Sequence, residues 1–133
     1  MNPEPIKIHR SLYISDVPGK GRGVFSSINL EENTTIEISP ILLLNAQERL
    51  DVEKTPLNFY VFEWEPEKKN CCVAWGYLSM YNHSFDSNCE YFMDIEAQIM
   101  TIRTVKSIPK GEELTINYNG DFNDTSELWF PTI

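Results

Sequence analysis

The chain has 133 residues, with 20 acidic and 11 basic side chains and a formal net charge of −9. That length suits one domain, large enough to bury most of the surface its unfolded form exposes. The acidity argues against binding through nucleic-acid phosphates, which needs a basic surface; it suits a basic partner, and equally suits mere solubility.

The N-terminus, Met1-Asn2-Pro3-Glu4-Pro5, is polar and proline-broken. It offers no apolar run for a signal peptide or a membrane span. Ile6-Lys7-Ile8, Leu12-Tyr13-Ile14 and Gly23-Val24-Phe25 read as short strands punctuated by Pro and Gly. Thr35 to Ser39 alternates well, and Pro40 predicts a bend or an edge before Ile41-Leu42-Leu43-Leu44. Asn45 to Val52 is the one fair helix: Asn45 can cap it, Glu48 stands at the third position, and it stops before Pro56.

Leu57 to Trp64, Cys71 to Trp75, Cys89 to Ile95, Gln98 to Val105 and Leu114 to Tyr118 all read as strands. A second helical turn is expected over Gly76 to Tyr81, with Leu78 and Tyr81 facing inward. Turns are expected at Glu65 to Asn70 and at Ile108 to Glu112. The fold class is therefore mainly β. Leu128-Trp129-Phe130 near the end carries too much aromatic area to stay undocked.

The three cysteines, two of them adjacent at Cys71-Cys72, do not form a disulfide framework. With no leader, they point to a reducing, intracellular and cytoplasmic setting. Two histidines, His9 and His83, without suitable companions predict no metal site.

Three segments carry the chemistry. Lys20-Gly21-Arg22-Gly23 has two glycines around a basic residue, which allow positive φ and a close main-chain approach to a ligand; alone it is an ordinary tight turn. Tyr81-Asn82-His83-Ser84 puts amide and imidazole side by side, a poor choice for a core strand unless partners satisfy both. Gly111-Glu112-Glu113-Leu114-Thr115-Ile116-Asn117-Tyr118 ends an alternating run on a phenol.

In this order the three segments resemble the signatures of SET-domain protein lysine methyltransferases, over roughly Lys7 to Trp129. The resemblance implies a β-clip-like fold of several small sheets with one or two short helices. It also implies a C-terminal pseudoknot that sets Asn82-His83 against Tyr118. A single domain spans 1–133, with a core of about 7–120 and a tail, 121–133, packing over the cofactor or the lysine channel.

The implied cofactor is S-adenosylmethionine, held by Lys20, Gly21, Arg22, Gly23, Tyr81, Asn82, His83, Tyr118 and, from the tail, Trp129. Tyr118 and Tyr91 are the implied catalytic residues. Tyr60, Phe62 and Trp64, two apart on one strand face, would line the substrate channel with Tyr91. The implied partner is a lysine-containing, basic protein or peptide such as a histone, with Glu63, Glu65 and Glu67 drawing it in. No nucleic acid or membrane is expected, and exposed edge strands could pair two copies into a homodimer. In a cell with a nucleus the protein would be nuclear or chromatin-associated.

The chain departs from the family pattern at three places. Asn117 replaces an aspartate, Ser87 replaces the proline before Asn88, and no Tyr-x-Gly follows Ile36-Glu37-Ile38. No CxC-type cysteine tail follows Cys89 to hold zinc. A catalytically weak SET-like binding module and an acidic β-domain with an unrelated ligand stay open as alternatives.

Overall fold

The computed structural model describes residues 7–64 and 70–118. Three short strands, β1 (Lys7–Ile8), β2 (Leu12–Val17) and β3 (Gly21–Ser26), lead to a long one, β4 (Thr35–Leu44). The β2–β3 hairpin closes with Lys20 N–H donating to the Val17 carbonyl at 3.0 Å. Pro18 and Gly19 fill its central positions, and Gly19 takes φ +80°, as a type II turn requires.

Helix α1 (Ala46–Val52) follows, and its start is a complete capping box: Asn45 accepts from Glu48 N–H while Glu48 accepts from Asn45 N–H. After it come a 3-10 turn, Pro56–Phe59, then β5 (Val61–Trp64) and β6 (Asn70–Ala74). A second 3-10 turn, Leu78–Met80, precedes β7 (Asn82–His83), β8 (Cys89–Asp94), β9 (Ile99–Thr104) and β10 (Glu113–Ile116).

Two sheets result. The larger runs β5-β6-β4-β9-β8, with β1 also on β4; the smaller runs β2-β3-β10-β7. The last strand fills a slot in the smaller sheet, antiparallel to β3 (Leu114 opposite Val24) and parallel to β7 (Ile116 opposite His83). Between the sheets lies a core built on Val24, Ile36, Trp64, Leu78, Tyr81, Met100, Ile102, Leu114 and Ile116. Burial of each large aliphatic chain there contributes about 1.5–3 kcal/mol before entropy is counted.

Two expectations are corrected. Pro40 does not end a strand: β4 runs through it, and the partner changes instead. Up to Pro40, β4 pairs with β9, whose first residue, Ile99, stands opposite; from Ile41 onward it pairs with β6. A proline at that handover removes a donor where pairing is being exchanged, as it would at an edge. The strand expected over Leu57 to Trp64 begins only at Val61, because Thr55 caps the preceding turn through Leu57 N–H and Pro56 stands at its first position. Inward-facing Leu78 and Tyr81 are both fully buried, as the i, i+3 spacing predicts.

Candidate active site

The parallel pairing of β7 with β10 assembles the site. Asn82 stands opposite Thr115 and His83 opposite Ile116, and Ser84 N–H donates to the Ile116 carbonyl at 3.0 Å. In a parallel ladder that register turns the N–H and C=O of His83 itself away from β10. Among the described residues β7 is the edge of its sheet, so this donor and acceptor face away from β10.

Tyr118, just past β10, reaches back to the same segment twice. Its N–H donates to Nδ1 of His83 at 3.0 Å, and its hydroxyl donates to the Tyr81 carbonyl at 2.7 Å. Burial, then Glu113 and Tyr60, push the Tyr118 phenol up to about 12. It therefore stays protonated at neutral pH. The His83 ring packs at 5.1 Å from the Tyr118 ring and edge-on to Phe85 at 4.4 Å. Burial, then the charge of Lys20, lower its pKa, and its buried Nε2 has no partner among the described residues.

Asn82 joins the glycine segment to the rest. Its Nδ2 donates to the Arg22 carbonyl at 2.9 Å and to the Glu113 carboxylate. Gly23 lies directly beneath that clamp. A Cβ there would overlap Glu113 and come within 2.8 Å of Val17 and 3.1 Å of the Asn82 amide. Gly21, at φ +84° with open space around it, serves conformation instead. Lys20 and Arg22 are exposed at this tip.

Asn88 supplies a second clamp. It is buried, accepts from Thr115 N–H at 2.8 Å and donates to the Glu113 carbonyl at 2.8 Å, so one amide spans two residues of β10.

The remaining aromatics divide sharply. Tyr91 donates its hydroxyl to the Tyr118 carbonyl at 3.3 Å, and Phe62 packs 5.7 Å from Tyr91 and 6.3 Å from Tyr118, edge to face. Tyr60 precedes β5 and is half exposed, yet lies near enough to influence the Tyr118 phenol. Trp64 is sealed in the core at 0 % exposure, which corrects its expected place in a channel wall. The alternation that grouped these three failed because both faces of β5 are covered: Val61, Phe62 and Trp64 are all buried.

Tyr81 also differs from its expected use. Its side chain is fully buried and donates to Glu37 at 2.8 Å, so only its main chain can meet a ligand. Glu63, expected to attract substrate, instead pairs with Arg49 at 3.0 Å. Glu65, Glu67 and Trp129 lie outside the described residues. Sequence reasoning missed Glu37; the available signal was a lone acid inside the apolar run Ile36-Glu37-Ile38. Among the described residues no group of His, Cys, Asp or Glu converges to hold a metal, and no helix is long and apolar enough to cross a membrane.

The SET domain family model matches residues 21–119. A relative from Schizosaccharomyces pombe, a histone-lysine N-methyltransferase specific for H3 lysine-37, is 35% identical over 124 residues, 92% of this chain and 79% of that protein. Histone-lysine N-methyltransferase SETD7 of Halocynthia roretzi is 25% identical over 83% of this chain but only 31% of its own length. Among solved structures, a Plasmodium falciparum protein described as a candidate histone methyltransferase superposes with TM-score 0.63 at 28% identity, covering 84% of this chain and 95% of that one.

Proposed function

Since the chain belongs to the SET-domain family, its matched region holding every described residue of the site from Gly21 to Tyr118, we infer that it is an S-adenosylmethionine-dependent protein-lysine N-methyltransferase. Its substrate is the side-chain amine of a lysine in a basic protein such as a histone, which the net charge of −9 favours. Work on a histone would place it in the nucleus or on chromatin.

The residues suit the cofactor. His83 offers an N–H and C=O turned away from β10, on the edge β7 has among the described residues, a pair matched to a purine's acceptor and donor. The start of β3, Gly21 to Gly23, with Lys20 beside it, offers main-chain groups and a positive charge for the amino-acid end. When bound, S-adenosylmethionine supplies an activated methyl group. Everything else falls to the chain.

Tyr118 is the residue on which the reaction turns, and the observation that carries this is its hydroxyl bond to the Tyr81 carbonyl. With its proton committed there, the oxygen presents lone pairs to the site, where they orient a polarised methyl group and the attacking amine. A phenol held near 12 does not serve as a base. An unperturbed lysine, at ~10.4, must lose its proton before attack. Desolvation against Phe62, Tyr91 and Tyr118 disfavours the ammonium form and lets the proton leave to water. Tyr60, half exposed, is the residue we assign to the mouth of the lysine channel; its exposure supports that role.

Transfer of a labelled methyl group to purified histones, with Tyr118→Phe as control, tests the proposal. Label on histone lysine that depends on Tyr118 supports it. Cofactor binding without transfer, in wild type as in the variant, would leave a binding module in its place.

A further inference from the structure

One carboxylate stands behind the site and touches, of the residues assigned to the cofactor, only the side chain of Tyr81, whose main chain alone can meet a ligand. Glu37, on β4, is fully buried and accepts three hydrogen bonds. The Tyr81 hydroxyl donates to Oε1 at 2.8 Å; Ser39 Oγ at 2.7 Å and Tyr77 N–H at 2.8 Å donate to Oε2. A Cβ on Gly76 would overlap this carboxylate, and Gly76 takes φ +63°, so the chain wraps the acid as closely as glycine permits.

The two ends of residues 76–81 are therefore fastened to one side chain. Tyr77 N–H holds the beginning, and the Tyr81 hydroxyl holds the end. Between them Met80 N–H donates to the Tyr77 carbonyl at 2.8 Å. The main chain of Tyr81 then presents the carbonyl to which Tyr118 commits its hydroxyl proton. Carboxylate, Tyr81 side chain, Tyr81 carbonyl and Tyr118 hydroxyl form one connected series.

We propose that Glu37 is a positioning residue for Tyr118: by fixing Tyr81 it sets the direction of the Tyr118 hydroxyl, and so governs turnover rather than ligand binding. The proposal rests on the methyltransferase reading for its kinetic consequence, though the hydrogen-bond series stands without it. A carboxylate is suited to the task because it accepts from all three donors at once. A glutamine has a single oxygen. If that oxygen keeps Tyr77 N–H and Ser39, its amide nitrogen faces the Tyr81 hydroxyl, whose proton then has no acceptor among the groups that now surround it.

The test uses Glu37→Gln and Tyr81→Phe, each alone and combined with Tyr118→Phe, with Ser39→Ala as a variant that touches Glu37 but not Tyr81. The expected result is a fall in kcat of about tenfold or more for Glu37→Gln and Tyr81→Phe, with both KM values within about threefold. Neither substitution lowers kcat further once Tyr118 is phenylalanine, because the group being positioned is gone. Ser39→Ala leaves kcat near wild type. Equal losses with and without Tyr118, or KM changes with kcat intact, would overturn the proposal. Tyr81→Phe removes one hydroxyl and keeps the acid, so it decides the matter if Glu37→Gln does not fold.

A second readout needs no activity. With isotope-labelled tyrosine, the ring resonance of Tyr118, identified by its loss in Tyr118→Phe, shifts in both Tyr81→Phe and Glu37→Gln. An unmoved resonance refutes the positioning role. A moved resonance in a chain that transfers no methyl group refutes only the enzymatic reading.

Discussion

The backbone N–H of Tyr118 is bound to Nδ1 of His83, at 3.0 Å and across 35 residues of sequence. An imidazole that accepts at Nδ1 carries its proton at Nε2 and must be neutral. Burial, and then Lys20, lower its pKa in the folded protein. The unfolded chain takes up a proton near the ordinary ~6.5, so it binds more protons than the folded one below that pH. Stability from this pair is thus present above that value and lost as pH falls towards the depressed folded one. In urea melts, the stability advantage of wild type over His83→Gln should shrink between neutral pH and about 5. A constant difference across that range would contradict the assignment.

Replacement of Tyr118 by phenylalanine removes the hydroxyl and strands the Tyr81 carbonyl. Loss of one preorganised polar group should lower kcat on the order of a hundredfold or more. The stranded carbonyl should also cost about 1–3 kcal/mol of stability, visible in denaturant titrations. Affinity for S-adenosylhomocysteine should change little, since the outward N–H and C=O of His83 are untouched.

The two glycines at the start of β3 should fail differently. Gly21→Ala meets no atom but must hold φ +84°, a strain of about 1–2 kcal/mol, with affinity largely kept. Gly23→Ala has the milder backbone and the worse neighbours, since its Cβ overlaps the Glu113 carboxylate. It should part the clamp between Asn82 and Arg22 and weaken S-adenosylhomocysteine binding in isothermal titration. Equal affinity for the two variants would refute this distinction.

Asn88→Ala leaves Thr115 N–H and the Glu113 carbonyl without their partner in a buried setting. About 1–3 kcal/mol for each group is the expected loss, measured by thermal or urea unfolding. Asn88→Asp keeps the acceptor for Thr115 and should lose less than the alanine variant.

Trp64 and Tyr60 separate stability from function. Trp64→Ala opens the core and should cost about 3–5 kcal/mol. Tyr60→Ala, at a half-exposed position, should leave the melting temperature close to wild type and raise KM for a lysine peptide. Both are checked by parallel melts and peptide titrations.

Much of this was legible in the residues. The capping box of Asn45 and Glu48 is local chemistry and formed as read. Leu78 and Tyr81 faced inward because a short helical turn has fixed periodicity. The family signatures reported the strand pairing of β7 with β10, which no local rule could supply. What escaped was non-local. Ile36, Glu37, Ile38 and Ser39 are all buried, since residues 76–81 cover the face that alternation assigns to water. The handover at Pro40 depends on two strands far along the chain. Thr55 and Pro56 start a 3-10 turn whose cap is local, yet β-forming residues run straight on from it, so the strand's true start at Val61 is set by where β6 pairs.

The slot filled by β10 has a consequence for synthesis. Until Glu113 to Ile116 leave the ribosome, β3 and β7 each lack a neighbour. The methyl-transfer centre cannot exist in any shorter nascent chain, whatever else has folded. Unpaired edges in that interval can template contacts with other chains, which gives chaperones a natural moment to engage. Activity therefore waits on this strand and on Tyr118 just past it, and a translation product that stops before Tyr118 would be inert.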